Sequence, residues 1–364
     1  MLDPRGHENL LVRLHRLAHR QEENFTTEAF AHLVQHLMEA EPRATARVLD
    51  WLTDSSFFSE PGVSAPPTIR TQVHLGEHGI PDVRIEADDL EVIIEVKLGA
   101  GLGLEQAGPY AEALEKHGKP RRKLVALVGS PPSVEQRPAG MVVRTWGDLG
   151  VKLREETREP SSPLTHHLVE QFAAFLNHLN LVPLQVRSRL SEALKAHVDW
   201  AAANPGSPAV TRSRIRSLSR LTEMPHTEPL RNLLLQMDRV LARAPGVKRR
   251  MLDSGPSMTP PWIGFNINDM GYFFWVSLNE PEKISLQRYG RGVDPAAFDG
   301  SFGELERTPK GVALWSAKLD LLEPGLAFFE SDEVAQEKMI AAFFQRAFAY
   351  GERLQVAPPA GAPG

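Results

Sequence analysis

Residues 81–98 read PDVRIEADDLEVIIEVKL. Val83 and Ile85 alternate with charged residues, Asp88 and Asp89 have turn chemistry, and the run from Leu90 to Leu98 is apolar apart from Glu91, Glu95 and Lys97. This pattern predicts a strand over 81–87, a tight turn, and a second antiparallel strand over 90–98. Val92, Ile93, Ile94 and Val96 fall on both sides of the pleat, as in a strand covered on both faces and central in its sheet. Side chains alternate along a strand, so Glu95 and Lys97, two positions apart, leave the same face. Asp82, thirteen residues before Glu95, starts the neighbouring strand beside them. Two carboxylates and one ammonium are thereby brought together in the middle of an apolar sheet.

Working outward, a further strand is expected over 70–75, followed by a turn over 77–80. Downstream, 104–117 has helical spacing, 123–128 is a buried-type strand, 141–144 is another, and a helix runs from Trp146 to about residue 156. Upstream, Leu10, Leu11, Leu14 and Leu17 mark a helix over 7–20. Phe30, Leu33, Val34 and Leu37 mark one over 26–40, with Thr26 as its N-cap and Phe25 and Phe30 as a hydrophobic staple. A third short helix is expected over 44–52. From the last N-terminal helix onward, the expected fold is an α/β unit with a mixed-sheet core and the order α-β-β-β-α-β-β-α.

Paired carboxylates bind a hard divalent cation through oxygen, the cation polarises a phosphoryl oxygen and acidifies a bound water, and a lysine can position or deprotonate that water. Phosphodiester hydrolysis uses this set. The residues Pro81-Asp82 and Glu95-Val96-Lys97 resemble the signature of the PD-(D/E)XK nuclease superfamily, whose core runs α-β-β-β-α-β with the PD on the second strand and the E-x-K on the third. Gln106 and Tyr110, on the following helix, look like the QxxxY motif of its RecB-like branch. The resemblance covers about residues 23–150. It implies a restriction-endonuclease-like fold in which Asp82 and Glu95 hold magnesium or manganese, Lys97 serves the nucleophilic water, and Gln106 and Tyr110 support the site or the nucleic-acid backbone. The superfamily's first long helix often adds a glutamate. Here ENFTTE offers Glu23 or Glu28, of which Glu28 is nominated as the third metal ligand.

Two basic groups are expected to hold phosphates. One is KHGKPRRK, with Lys119, Arg121, Arg122 and Lys123; the other is TRSRIRSLSR, in which Arg212, Arg216 and Arg220 recur at helical spacing. Residues 205–250 hold ten Lys plus Arg against three acids, a local charge of +7 in a chain of net charge -5. Segregation of this kind suits a surface that tracks a phosphate backbone. The glycines of GAGLG (99–103) lack the Lys and Ser or Thr of a phosphate-binding P-loop and are read as a flexible loop.

The whole chain has 364 residues, 42% hydrophobic and 24% charged, with 41 Lys plus Arg against 46 Asp plus Glu. This balance excludes a uniformly basic coat protein. The absence of cysteine excludes disulfide scaffolds, thiolate-bound zinc and thiol catalysis. No apolar run reaches the roughly 18 residues of a membrane span, so a cytoplasmic protein is expected. The expected division is a nuclease-like domain over 1–158, a linker EPSSP, and an accessory α+β domain over 164–355. The accessory domain is read as helical over 164–243, then a β-meander of four or five strands and a closing helix within 247–355. A disordered tail over 356–364 follows. Trp262, Phe265, Tyr272, Phe273, Phe274, Trp275 and Trp315 are read as core residues of the meander. The expected function is metal-dependent hydrolysis of nucleic acid, DNA rather than RNA, in a setting such as restriction or phage defence. A homodimer or a defence-complex partner is the expected assembly. The alternative is a catalytically silent module that uses the same fold to bind nucleic acid or a partner.

Overall fold

The computed structural model describes residues 9–18, 21–60, 66–98, 104–129, 140–159, 162–187, 190–204, 227–247, 251–255, 261–267, 271–288, 304–307, 313–319, 322 and 327–353. The chain divides into two compact units, Met1–Val182 and Pro183–Gly364.

In the first unit, three helices, α1 (Leu10–His15), α2 (Glu22–Ala40) and α3 (Pro42–Thr53), precede strands β1 (Thr68–Thr71), β2 (Val83–Glu86) and β3 (Leu90–Lys97). Then come α4 (Leu104–His117), β4 (Arg121–Val128), β5 (Met141–Thr145), α5 (Trp146–Glu156) and α6 (Pro163–His178). The five strands lie in sequence order. β1–β2 and β2–β3 are antiparallel, whereas β3–β4 and β4–β5 are parallel. The chemistry of the connections explains the mixture, since a tight turn at Asp88-Asp89 can only reverse the chain and a crossover helix, α4, restores its direction. β3 is the middle strand, as its two-sided apolar pattern requires.

The two faces of β3 are covered differently. Val92, Ile94 and Val96 join one core with Phe30, Val34, Leu49, Trp146 and Phe172 from the helices. Ile93 packs on the other face with Leu75, Ala107, Tyr110, Ala113, Leu114 and Leu124, beneath α4. Glu91, Glu95 and Lys97 share this second face by alternation, so α4 decides what reaches them.

Several expected boundaries move. α2 starts at Glu22 with Gln21 as N-cap, and the Thr26 hydroxyl donates to the Glu22 carbonyl within the helix (2.8 Å) instead of capping it. The expected domain linker is a connection between two packed helices, with Ser162 capping α6 by accepting from Thr165 N (3.1 Å). α6 belongs to the first unit because Val169, Phe172, Phe175 and Leu176 bury against the aromatic core around Trp146, which meets Phe30 edge-on at 5.7 Å. Gly150 of α5 lets Val182 close this core, since a Cβ there would lie 2.6 Å from the valine's Cγ2.

The second unit contains α7 (Leu190–Ala203), α8 (Glu228–Arg243), strands β6 (Met251–Gly255), β7 (Trp262–Ile267), β8 (Tyr272–Ser277), β9 (Lys283–Arg288), β10 (Glu304–Arg307) and β11 (Ala313–Lys318), and the closing helix α9 (Glu333–Arg353). Among the described residues its antiparallel sheet has six strands in the order β10-β11-β9-β8-β7-β6, one more than expected and not a simple meander, because β11 inserts beside β9 and leaves β10 at the edge. Phe265, Tyr272 and Phe274 face the helices. Trp262, Phe273 and Trp275 alternate onto the opposite face and stack on one another, with Phe273 and Trp275 centroids 4.9 Å apart. The expected core role therefore holds for Phe265, Tyr272, Phe273 and Phe274, which are buried, while Trp262 and Trp275 are only half-buried; the Trp315 side chain lies outside the described residues, as does the tail 356–364. Among the described residues no helix is long and apolar enough to cross a membrane.

Candidate active site

Three chain segments converge at the C-terminal end of β3. In the antiparallel register Val83 faces Ile94, so Asp82, one residue earlier, falls beside Glu95. Asp82 Oδ2 accepts the backbone N–H of Val96 at 2.7 Å, and the Glu95 carboxyl group lies within hydrogen-bonding reach of Asp82. Lys97 Nζ stands 2.8 Å from Glu95 Oε1 and 3.4 Å from Glu23 Oε2 on the first turn of α2. Glu95 is only 3% exposed, whereas Lys97 and Glu23 open towards solvent.

The loop between β1 and β2 is shaped to deliver Asp82. It folds back through Leu75 N donating to Gly79 O (2.8 Å), and Gly79 has φ +97, a conformation that favours glycine. The Tyr110 ring sits 3.6 Å from where a Gly79 Cβ would be, and its hydroxyl donates to Ile80 O at 3.0 Å. Tyr110 thus pins the backbone just ahead of Pro81-Asp82. At the other end of the same loop, Gln72 donates to Asp82 from both its backbone and its side-chain nitrogen, each at 3.1 Å.

Electrostatics follow from this crowding. Burial, joined by the neighbouring Asp82 carboxylate, pushes Glu95 up to about 7, against the opposing pull of Lys97. Burial alone lowers the Lys97 ammonium, but the hydrogen bond to Glu95 and the charges of Glu95, Glu23 and Asp82 outweigh it and hold the group above its ordinary value. Burial, with the Glu95 and Asp82 charges behind it, raises the Tyr110 phenol to about 12, so it remains a donor at neutral pH.

The structure brings together Asp82, Glu95, Lys97 and Tyr110 of the expected set. Gln106 lies on α4, and its side chain is outside the described residues. Glu28 does not join Asp82 and Glu95 as a third metal-capable carboxylate: it accepts from the Thr71 hydroxyl of β1, and Glu23, five residues earlier on α2, is the glutamate that reaches Lys97. Nor are Lys119, Arg121, Arg122 and Lys123 brought to it. They sit at the N-terminal end of β4, where Arg121 pairs in register with Leu90, five residues and roughly 15 Å from Glu95. Lys119 binds Glu86 (2.9 Å) and the Ala87 carbonyl (2.6 Å), Arg121 pairs with Asp89 (3.4 Å), and Arg122 pairs with Glu115 (2.7 Å). Arg212, Arg216 and Arg220 lie outside the described residues. Gln72 and the Ile80 carbonyl carry no sequence signal of their own, because each acts through a loop whose path only the folded chain defines.

Among the described residues no three Asp, Glu or His side chains form a closed metal cage. The donor set is two carboxylates, Asp82 and Glu95, crowded enough that one of them holds a proton near neutrality. Magnesium binds through one or two protein carboxylates and keeps several waters, so this oxygen-only pair suits a hard divalent cation, whose charge would relieve the repulsion between them. Comparison of the chain with protein-family models, with curated proteins and with solved structures returns no match.

Proposed function

We propose that the chain is a divalent-cation-dependent nuclease with a restriction-endonuclease-like first unit of the PD-(D/E)XK type, acting on DNA. The observation that carries this reading is the meeting of Asp82, Glu95 and Lys97 at one end of the central strand, with Glu95 buried against Asp82. Burying a carboxylate beside another costs stability, and strongly shifted groups such as Glu95 cluster at functional sites. The mixed sheet, with α4 crossing between β3 and β4, supports the same fold.

Asp82 and Glu95 would hold magnesium or manganese, and the bound ion would polarise a phosphoryl oxygen and lower the pKa of its water. Every other part falls to the chain's own residues. Val96 N–H holds one oxygen of Asp82 and so restrains rotation of its side chain. Lys97 Nζ, hydrogen-bonded to Glu95, donates towards the incoming phosphate or water, and neutralising the nearby carboxylates weakens the pull that keeps it protonated. Glu23 holds Lys97 from the solvent side. Tyr110, a donor throughout the neutral range, keeps the Ile80 to Asp82 backbone in place.

The test is incubation of the purified protein with supercoiled, linear and single-stranded DNA and with RNA, in magnesium, in manganese and in EDTA. Cleavage of DNA in either metal and none in EDTA is the expected result. Metal-supported cleavage of RNA alone would correct the substrate. Binding without cleavage of any substrate would replace the enzyme by a nucleic-acid-binding module.

A further inference from the structure

We propose that Gln72 is a positioning residue that orients the Asp82 carboxylate for the divalent cation; the proposal rests on the nuclease reading of the site. Gln72 directly follows β1 and has φ +52, in the left-handed region that residues with a Cβ rarely adopt. Among the described residues only Asp54, Gln72 and Asn180 are non-glycine residues with positive φ. Asp54 ends α3 and Asn180 follows α6, and both are of the short polar types that tolerate this conformation at helix ends. Gln72 belongs to neither category, so its conformation needs another cause.

That cause lies in its partners. The backbone N–H of Gln72 donates to Asp82 O, and its side-chain amide donates to Asp82 Oδ1, both at 3.1 Å. The other carboxylate oxygen, Oδ2, takes the Val96 N–H. Asp82 is therefore gripped from both sides: by the central strand on one oxygen and by the strained turn after β1 on the other. Each oxygen keeps a further lone pair for a cation. If the turn alone mattered, glycine would make it with less strain; the amide is what glycine lacks. A strained residue whose side chain reaches a functional group is the kind of site at which strain is kept for use.

The test compares wild type with Gln72→Gly and Gln72→Met. Manganese affinity is read by calorimetry, melting temperature in cation-free buffer, and cleavage in manganese. Gln72→Gly should melt no lower than wild type while its manganese affinity falls about tenfold, within the range for loss of a residue that supports a metal ligand. Gln72→Met, which keeps the length of the side chain without its amide, should lose manganese affinity to a similar degree. Unchanged manganese affinity in Gln72→Gly, or affinity and melting temperature falling together, would overturn the proposal and make Gln72 a turn residue. Wild-type protein that neither binds manganese nor cleaves would instead bring down the nuclease reading, and the proposal with it.

Discussion

The carboxylate of Asp82 accepts the backbone N–H of Val96 at 2.7 Å, tying the aspartate that precedes β2 to the residue lying between Glu95 and Lys97. One hydrogen bond thus locks the relative position of the three charged groups. It also makes substitutions of Asp82 separable. Asp82→Ala leaves the buried Val96 N–H without its acceptor, which costs about 1–3 kcal/mol. Asp82→Asn keeps an oxygen for that bond and is expected to melt close to wild type. Both are expected to lose metal-dependent cleavage, and thermal melting alongside the cleavage assay checks the contrast.

Glu95 gives the cation-free protein a characteristic pH dependence. Burial and Asp82 raise its folded value to about 7 from 4.5, so the folded state binds this proton more tightly than the unfolded chain. Its favourable contribution is fully present below about pH 4.5 and is lost as pH rises through 7, a change on the order of 2–3 kcal/mol. Denaturant unfolding in EDTA should therefore show this component falling across that window, and Glu95→Gln should flatten it. Magnesium or manganese, by offsetting the repulsion between the ionised carboxylates, should recover stability on the alkaline side, and binding below about pH 7 should release the Glu95 proton, measurable by calorimetry in two buffers.

Glu23 and Glu28 should differ although both lie near the start of α2. Glu23 is ion-paired with Lys97, and Glu28 is hydrogen-bonded to Thr71. Glu23→Gln is expected to lower cleavage about tenfold, the scale of a group that supports a catalytic ligand. Glu28→Gln should change it less than twofold. Rates measured at saturating manganese decide between them, and equal effects would return Glu28 to the site.

The basic group after α4 should not behave as a phosphate contact. Arg122 is held by Glu115 and Lys119 by Glu86, at the end of the sheet away from Glu95. Arg122→Ala is expected to leave the salt dependence of DNA binding unchanged, whereas loss of a phosphate contact would reduce the log–log slope by about one unit.

Much of the first unit was legible because its signals are local. The Asp88-Asp89 turn, the two-sided apolar run of β3 and the helical spacing of 104–117 each depend on neighbours in sequence, and strand alternation alone put Glu95 and Lys97 on one face. What escaped depends on distant partners. On sequence alone Pro and Ser at 160–163 look like a linker and put α6 in the second unit, while the aromatic stripe that joins α6 to Trp146 becomes visible only once both helices are placed. Sequence offers both Glu23 and Glu28 at the start of α2, yet five residues on a helix turn a side chain well away from its predecessor, and only the packing of α2 shows that Glu23 is the one that points to Lys97. Arg121 and Arg122 formed a basic run in sequence, but Asp89 and Glu115 neutralise them in space.

The most direct measurement of the central claim is the rate of DNA cleavage in manganese by wild type, Asp82→Asn, Glu95→Gln and Lys97→Met, each first shown to be folded by circular dichroism and melting. The account predicts cleavage by wild type that EDTA abolishes and a loss of at least about a hundredfold in each variant, the scale of removing an acid–base or charge-stabilising group. Cleavage by the variants at the wild-type rate would contradict it and would place any nuclease activity elsewhere in the chain.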